Sequence, residues 1–158
     1  MNHAEALSAL HVLYRQIPTL ACQGQCTEAC GPLGLSQLEF VQIQRATPLR
    51  LAEGKTTACP LLKRGRCTVY AKRPMICRLW GVVENMPCVW GCRPERYLTV
   101  DEADALMRQA EQLSQALFPE ASPRTFHTDA MIERVQERGA QAVAWAVLAT
   151  VGRSYESM

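Results

Sequence analysis

The sequence predicts a small, mainly α single domain with an irregular, metal-stapled, cysteine-rich part and two C-terminal amphipathic helices. Three observations predict it. Apolar residues recur at helical spacing in four stretches, two of them beyond the cysteines; strand-like alternation is nearly absent; and eight cysteines crowd into residues 22–92. A chain of 158 residues is the usual size of one domain and buries a core without crosslinks. Its composition, 48% hydrophobic and 20% charged, argues against general disorder. No stretch approaches the roughly 18 continuous apolar residues of a membrane span.

Each element has a local reason. Leu7, Leu10, Tyr14 and Ile17 recur at helical spacing, and Pro18 stops that first helix. Ser36 and Glu39 have capping-box spacing ahead of Phe40, Val41 and Ile43, so a second helix starts at Ser36 and ends before Pro48. Gly54 opens a loop. From Cys59 to Tyr97 the chain is interrupted by Pro60, Gly65, Pro74, Gly81, Pro87, Gly91 and Pro94, which leaves room only for short elements, one of them an extended piece from Cys67 to Tyr70. Thr99 and Glu102 make another capping box, and Ala103, Leu106, Ala110, Leu113 and Leu117 line one face of a third helix ending near Phe118 and Pro119. Asp101, Glu102 and Asp104 belong to its first turn, where acidic side chains suit the helix dipole. Thr128 or Asp129 caps the last and longest helix, with Ile132, Val135, Ala142, Val143, Ala146, Val147 and Val151 in phase. Gly139 costs it about 1 kcal/mol relative to alanine without breaking it. Residues 1–158 thus read as one domain, with a metal-binding region over 22–92 and a helical packing region over 99–152.

Met1 to Leu20 include His3, Glu5, His11, Arg15 and Gln16, so they lack the basic start and unbroken apolar run of a secretion signal. The expected location is cytoplasmic. Thiols stay reduced there, and closely spaced free thiols point to metal ligation or redox chemistry rather than disulfides. A net charge of +2 gives no basis for nucleic-acid binding by itself.

The cysteines form three groups: Cys22, Cys26 and Cys30 at intervals of four; Cys59, Cys67 and Cys77 more widely spread; and Cys88 with Cys92. Zinc knuckles use pairs separated by two residues, and no such pair is present. Iron-sulfur clusters take four thiolates with varied gaps, three local and one distant, and Cys22, Cys26 and Cys30 fit as the local three. Eight thiolates suffice for two such sites, or for one cluster plus redox-active thiols; spacing does not divide them. Between Cys59 and Arg78, Lys63, Arg64, Arg66, Lys72, Arg73 and Arg78 stand with no acidic residue, and cations of this kind compensate thiolate charge, form a solvated face or, as a third reading, offer a surface to nucleic acid or an acidic peptide. Pro60 fixes the backbone after Cys59, and Pro74 begins a short helix running through Cys77. Arg73 and Arg78 are candidates to hydrogen-bond thiolate sulfur or carbonyls, or to form surface ion pairs. Trp80 and Trp90 either screen a cluster from water or fill core. His3, His11 and His127 read as ordinary surface or interface residues beside so many thiols.

From Ala58 the run A-C-P-L-L-K-R-G-R-C-T-V-Y-A-K-R-P-M-I-C-R resembles the cysteine-cluster family of zinc- or iron-chelating domains often called YkgJ-like. The resemblance is carried by Cys59-Pro60-Leu61, by Cys67 with Tyr70, by Arg73-Pro74 and by Cys77-Arg78, with Cys22, Cys26 and Cys30 in the place of the family's upstream cluster. Here no two cysteines are neighbours, whereas the family's first cluster has adjacent ones. The resemblance implies metal binding. The family's cluster is also similar to segments of flagellin lysine methylases, but no methylase cofactor motif stands in this chain.

No nucleophile-base pair, phosphate loop or paired carboxylates appear. The expectation is an iron-binding protein, with a [4Fe-4S] cluster on thiolates drawn from all eight cysteines, serving electron transfer, sensing or a partner enzyme. The rivals are a structural zinc module and thiol-based metal storage.

Overall fold

The computed structural model describes residues 1–24, 30, 34–47, 59–121 and 124–125. Cys26 and the expected last helix, with its caps at Thr128 or Asp129 and with Gly139, lie outside them, as does His127. Among the described residues the fold is mainly helical: α1 (His3–Tyr14), α2 (Gln37–Ala46), α3 (Met75–Leu79) and α4 (Val100–Leu117). Six two-residue strands pair as antiparallel ribbons: β1 (Gly34–Leu35) with β6 (Arg124–Thr125), β2 (Leu62–Lys63) with β3 (Arg66–Cys67), and β4 (Val82–Val83) with β5 (Met86–Pro87).

Capping decides where the helices start. Side-chain oxygens of Asn2, Ser36 and Thr99 accept the backbone N–H of Glu5, Glu39 and Glu102, whose carboxylates accept the cap N–H in return. Such a reciprocal cap is worth roughly 1 kcal/mol. At Glu102 the carboxylate also meets Arg96 at 3.1 Å. The first helix ends at Tyr14, one turn short of Ile17, which packs on the core from the following turn.

The main core gathers Ala6, Leu10, Leu13 and Tyr14 of α1, Leu38 of α2, Met75 and Leu79 of α3, Val82 and Val83 of β4, Leu98, and Ala103, Leu106 and Ala110 of α4. On α4, Leu113 and Leu117 are only partly buried, while Ser114 is buried and its hydroxyl accepts the Leu38 N–H at 3.1 Å. That bond ties the start of α2 to α4. Leu98 is stitched to β4 by its N–H to Val82 O at 2.8 Å and by Glu84 N–H to its own carbonyl at 3.0 Å.

A smaller second core, Leu35, Phe40, Ile43, Leu61 and Val69, carries Cys59 and Cys67 on its edge. The β2–β3 ribbon that follows Cys59 and carries Cys67 turns on Arg64 (φ 50°) and Gly65 (φ 72°), both left-handed as a two-residue hairpin requires. The expected extended piece at 67–70 is therefore offset. The strand is Arg66–Cys67, and Tyr70–Lys72 is a 3₁₀ turn.

Gly81, between α3 and β4, holds φ at +86°, and a Cβ there would sit 2.9 Å from Leu20 Cδ2 and 3.4 Å from Cys88 Cβ. Gly81→Ala should lower stability by about 1–2 kcal/mol from backbone strain alone, read as a drop in denaturation midpoint. An unchanged midpoint would show that this turn relaxes freely.

Candidate metal centre

Cys30, Cys59 and Cys67 all lie near enough for their charge to act on Cys77, and they come from three stretches: Cys30, the turn and hairpin of Cys59 and Cys67, and α3 with Cys77. The Cys59 N–H donates to the Cys30 carbonyl at 2.9 Å, which fixes these two positions side by side across 29 residues of sequence. A turn closed by Leu62 N–H to Cys59 O at 3.0 Å leads into the hairpin, where Leu62 stands opposite Cys67. Thr68 seals the loop by donating its N–H (2.9 Å) and hydroxyl (2.8 Å) to Leu61 O. The chain then makes its 3₁₀ turn and reaches Pro74, whose carbonyl accepts the Cys77 N–H at 3.0 Å. Pro74 starts α3 as the sequence predicts, and α3 delivers Cys77.

The thiols also influence one another electrostatically. Burial pushes the Cys77 thiol well above its ordinary value, and Cys59, Cys30 and Cys67 push it further, while Arg73 pulls it down. Burial likewise raises Cys59, against the N–H groups of Leu61 and Leu62 and with a smaller push from Cys67. Pro60 has no N–H, so the amides of Leu61 and Leu62 are the ones aimed at the Cys59 sulfur. Such N–H groups stabilise a ligating thiolate. Among the described residues, no three Cys, His, Asp or Glu side chains are already drawn tightly enough to grip a single ion.

Arg73 supplies the cation. Its guanidinium stacks 4.1 Å from the Tyr70 ring centre, it acts on Cys77, and its Nε is buried with no hydrogen-bond partner among the described residues. An N–H left so costs roughly 1–3 kcal/mol, and an acceptor at the thiol cluster would satisfy it. Arg78 has other work: it donates to Arg73 O at 2.9 Å and Ala71 O at 2.7 Å and stacks 4.1 Å from the Tyr14 ring centre. It binds carbonyls, one of the roles expected of it.

The remaining candidates are distributed. Cys22 accepts the Gly24 N–H at 3.3 Å and lies within hydrogen-bond reach of the Tyr70 hydroxyl. Cys88 and Cys92 face each other across one loop. Trp80 packs partly buried against the main core, whereas Trp90 is 46% exposed and fills no core. His11 lies 3.0 Å from Gln42 Nε2, and His3 meets Phe118 edge-on.

Sequence reasoning passed over two features that hold the centre in place. One is the Arg64-Gly65 turn, whose glycine between short apolar runs is a hairpin signal. The other is Glu39, visible only as a cap, which also accepts the Tyr14 hydroxyl at 2.9 Å and the Met75 N–H at 2.7 Å and so anchors the start of α3. Compared with family models, curated proteins and solved structures, the chain matches none. No described helix is long and apolar enough to cross a membrane.

Proposed function

We propose that the protein holds an iron-sulfur cluster on Cys30, Cys59, Cys67 and Cys77 and uses it for electron transfer, for sensing or in support of a partner enzyme in a reducing compartment. The observation that supports this reading is the backbone bond that sets Cys59 beside Cys30, with Cys67 following on the adjoining hairpin and all three near enough for their charge to act on Cys77. Gaps of this width, with no pair two residues apart, suit the larger cage of a cluster better than a zinc knuckle. Zinc in a tetrahedral thiolate site, with Zn–S of about 2.3 Å, needs sulfurs drawn close around one point.

When bound, a cluster supplies a one-electron couple. The chain's own part is to hold and tune. The amides of Leu61 and Leu62 donate toward the Cys59 sulfur, and the Arg73 guanidinium pulls the Cys77 thiol down; both favour added negative charge. The second core behind Cys59 and Cys67 keeps water from one side.

Anaerobic purification with elemental and sulfide analysis tests the reading. The expected sample is brown, with roughly four iron and four sulfide per chain for a cubane cluster. A colourless sample with stoichiometric zinc and no sulfide would overturn it in favour of a structural zinc module.

A further inference from the structure

The loop after β5 brings Cys88 and Cys92 together outside the quartet. Gly91 N–H donates to Cys88 O at 3.1 Å, closing a four-residue turn that returns Cys92 to Cys88. Their side chains are within hydrogen-bond reach of each other, and the N–H groups of Trp90 and Cys92 also donate to the Cys88 sulfur. The two thiols differ in access: Cys88 is partly exposed, while Cys92 is 7% exposed. Between them Val89 is 72% exposed and Trp90 46%, so two apolar side chains flank the approach to Cys88. Two sulfurs suffice for a disulfide but not for a closed metal site.

We infer that Cys88 and Cys92 are a redox-active dithiol, distinct from the metal centre, which closes to a disulfide by exchange with a small-molecule disulfide. In the first step the Cys88 thiolate attacks one sulfur of the oxidant, forming a mixed disulfide and expelling one thiolate. Cys92 then gives up its proton to water and attacks the Cys88 sulfur, expelling the second thiolate. Two electrons pass from the pair to the oxidant, which leaves as two thiols. Slight burial pushes the Cys88 thiol up, but the Trp90 and Cys92 donors outweigh it and hold the thiol below its ordinary value, in keeping with its role as attacker. The inference is independent of which metal the quartet takes.

The test treats the full-length, metal-loaded protein with oxidised glutathione, followed by acid quench and peptide mapping. The tryptic peptide 79–96 contains these two cysteines and no others. The expected result is an internal disulfide in that peptide. Cys92→Ser should trap a glutathionyl adduct on Cys88, roughly tenfold above that on Cys30, Cys59, Cys67 or Cys77, and Cys88→Ser should leave Cys92 with roughly tenfold less adduct. Both variants should keep the parent's metal content. No link in the parent protein, an adduct preferring Cys92, or loss of metal in either variant would overturn the inference; the first two leave the assignment of the quartet standing, whereas the third would add a ligand to it.

Discussion

Cys77→Ser is expected to reduce bound metal to roughly a tenth of the parent's or less and to cost several kcal/mol of stability. Serine keeps the volume but does not ionise, so the site loses one ligand in four. The effect is large because of where Cys77 sits. It is delivered by α3, while Cys30, Cys59 and Cys67 come from elsewhere in the chain, so a metal bound to all four closes loops that the small second core beside Cys59 and Cys67 closes only weakly. Cys88→Ser, made in parallel, should keep its metal. Metal analysis and thermal melts check the pair, and a fully loaded Cys77→Ser protein would remove Cys77 from the site.

The same thiol sets opposite pH trends for the two forms. Its pKa is raised in the fold, by burial first and by its neighbours next, so ligation must release a proton and metal binding weakens as pH falls. In the metal-free protein the folded state keeps a proton that the unfolded chain loses above the ordinary thiol value of 9.0. The folded state therefore binds more protons in that window. Its stability is intact below 9.0 and declines as pH rises beyond it.

What could be read from the sequence was what is local. Ser36 with Glu39 and Thr99 with Glu102 mark their helix starts, since a capping box is a four-residue interaction. Asn2 with Glu5 has the same spacing and makes the same box at the start of α1. Pro74 marked the start of α3 because proline favours a first turn. The grouping of cysteines was not local. Spacing joined Cys22, Cys26 and Cys30, but Cys30 meets Cys59 through the backbone, while Cys22 meets Tyr70 and Cys26 is outside the described residues. Intervals of four say which residues share a helix face, and Cys30 stands in no helix. Burial of Glu39 was equally invisible, because its partners Tyr14 and Met75 lie 25 and 36 residues away.

Glu39→Ala is the second large effect, expected at about 3–5 kcal/mol. Glu39 is 3% exposed, and all its contacts come from donors: Ser36 N–H at 3.1 Å and hydroxyl at 3.0 Å on one oxygen, Tyr14 hydroxyl at 2.9 Å and Met75 N–H at 2.7 Å on the other. Alanine leaves these donors buried and unpaired, and each costs roughly 1–3 kcal/mol where water cannot reach it. Three helices lose their common tie at once: α1 through Tyr14, α2 through its own cap, and α3 through Met75 at its first position. Burial, then the Glu39 carboxylate, holds the Tyr14 hydroxyl in its protonated, donating form, so that bond persists into the alkaline range. Glu39→Gln keeps one acceptor for Tyr14 and Met75 but turns an amide NH₂ toward the Ser36 donors, so it should cost roughly half as much. For a chain of this size the alanine variant should melt about 10 °C or more below the parent. Because Met75 lies two residues before Cys77, the same variant should also bind metal more weakly than the glutamine one. Equal melting temperatures for parent and alanine variant would show that Glu39 merely caps α2 and does not join the helix cluster to the metal centre.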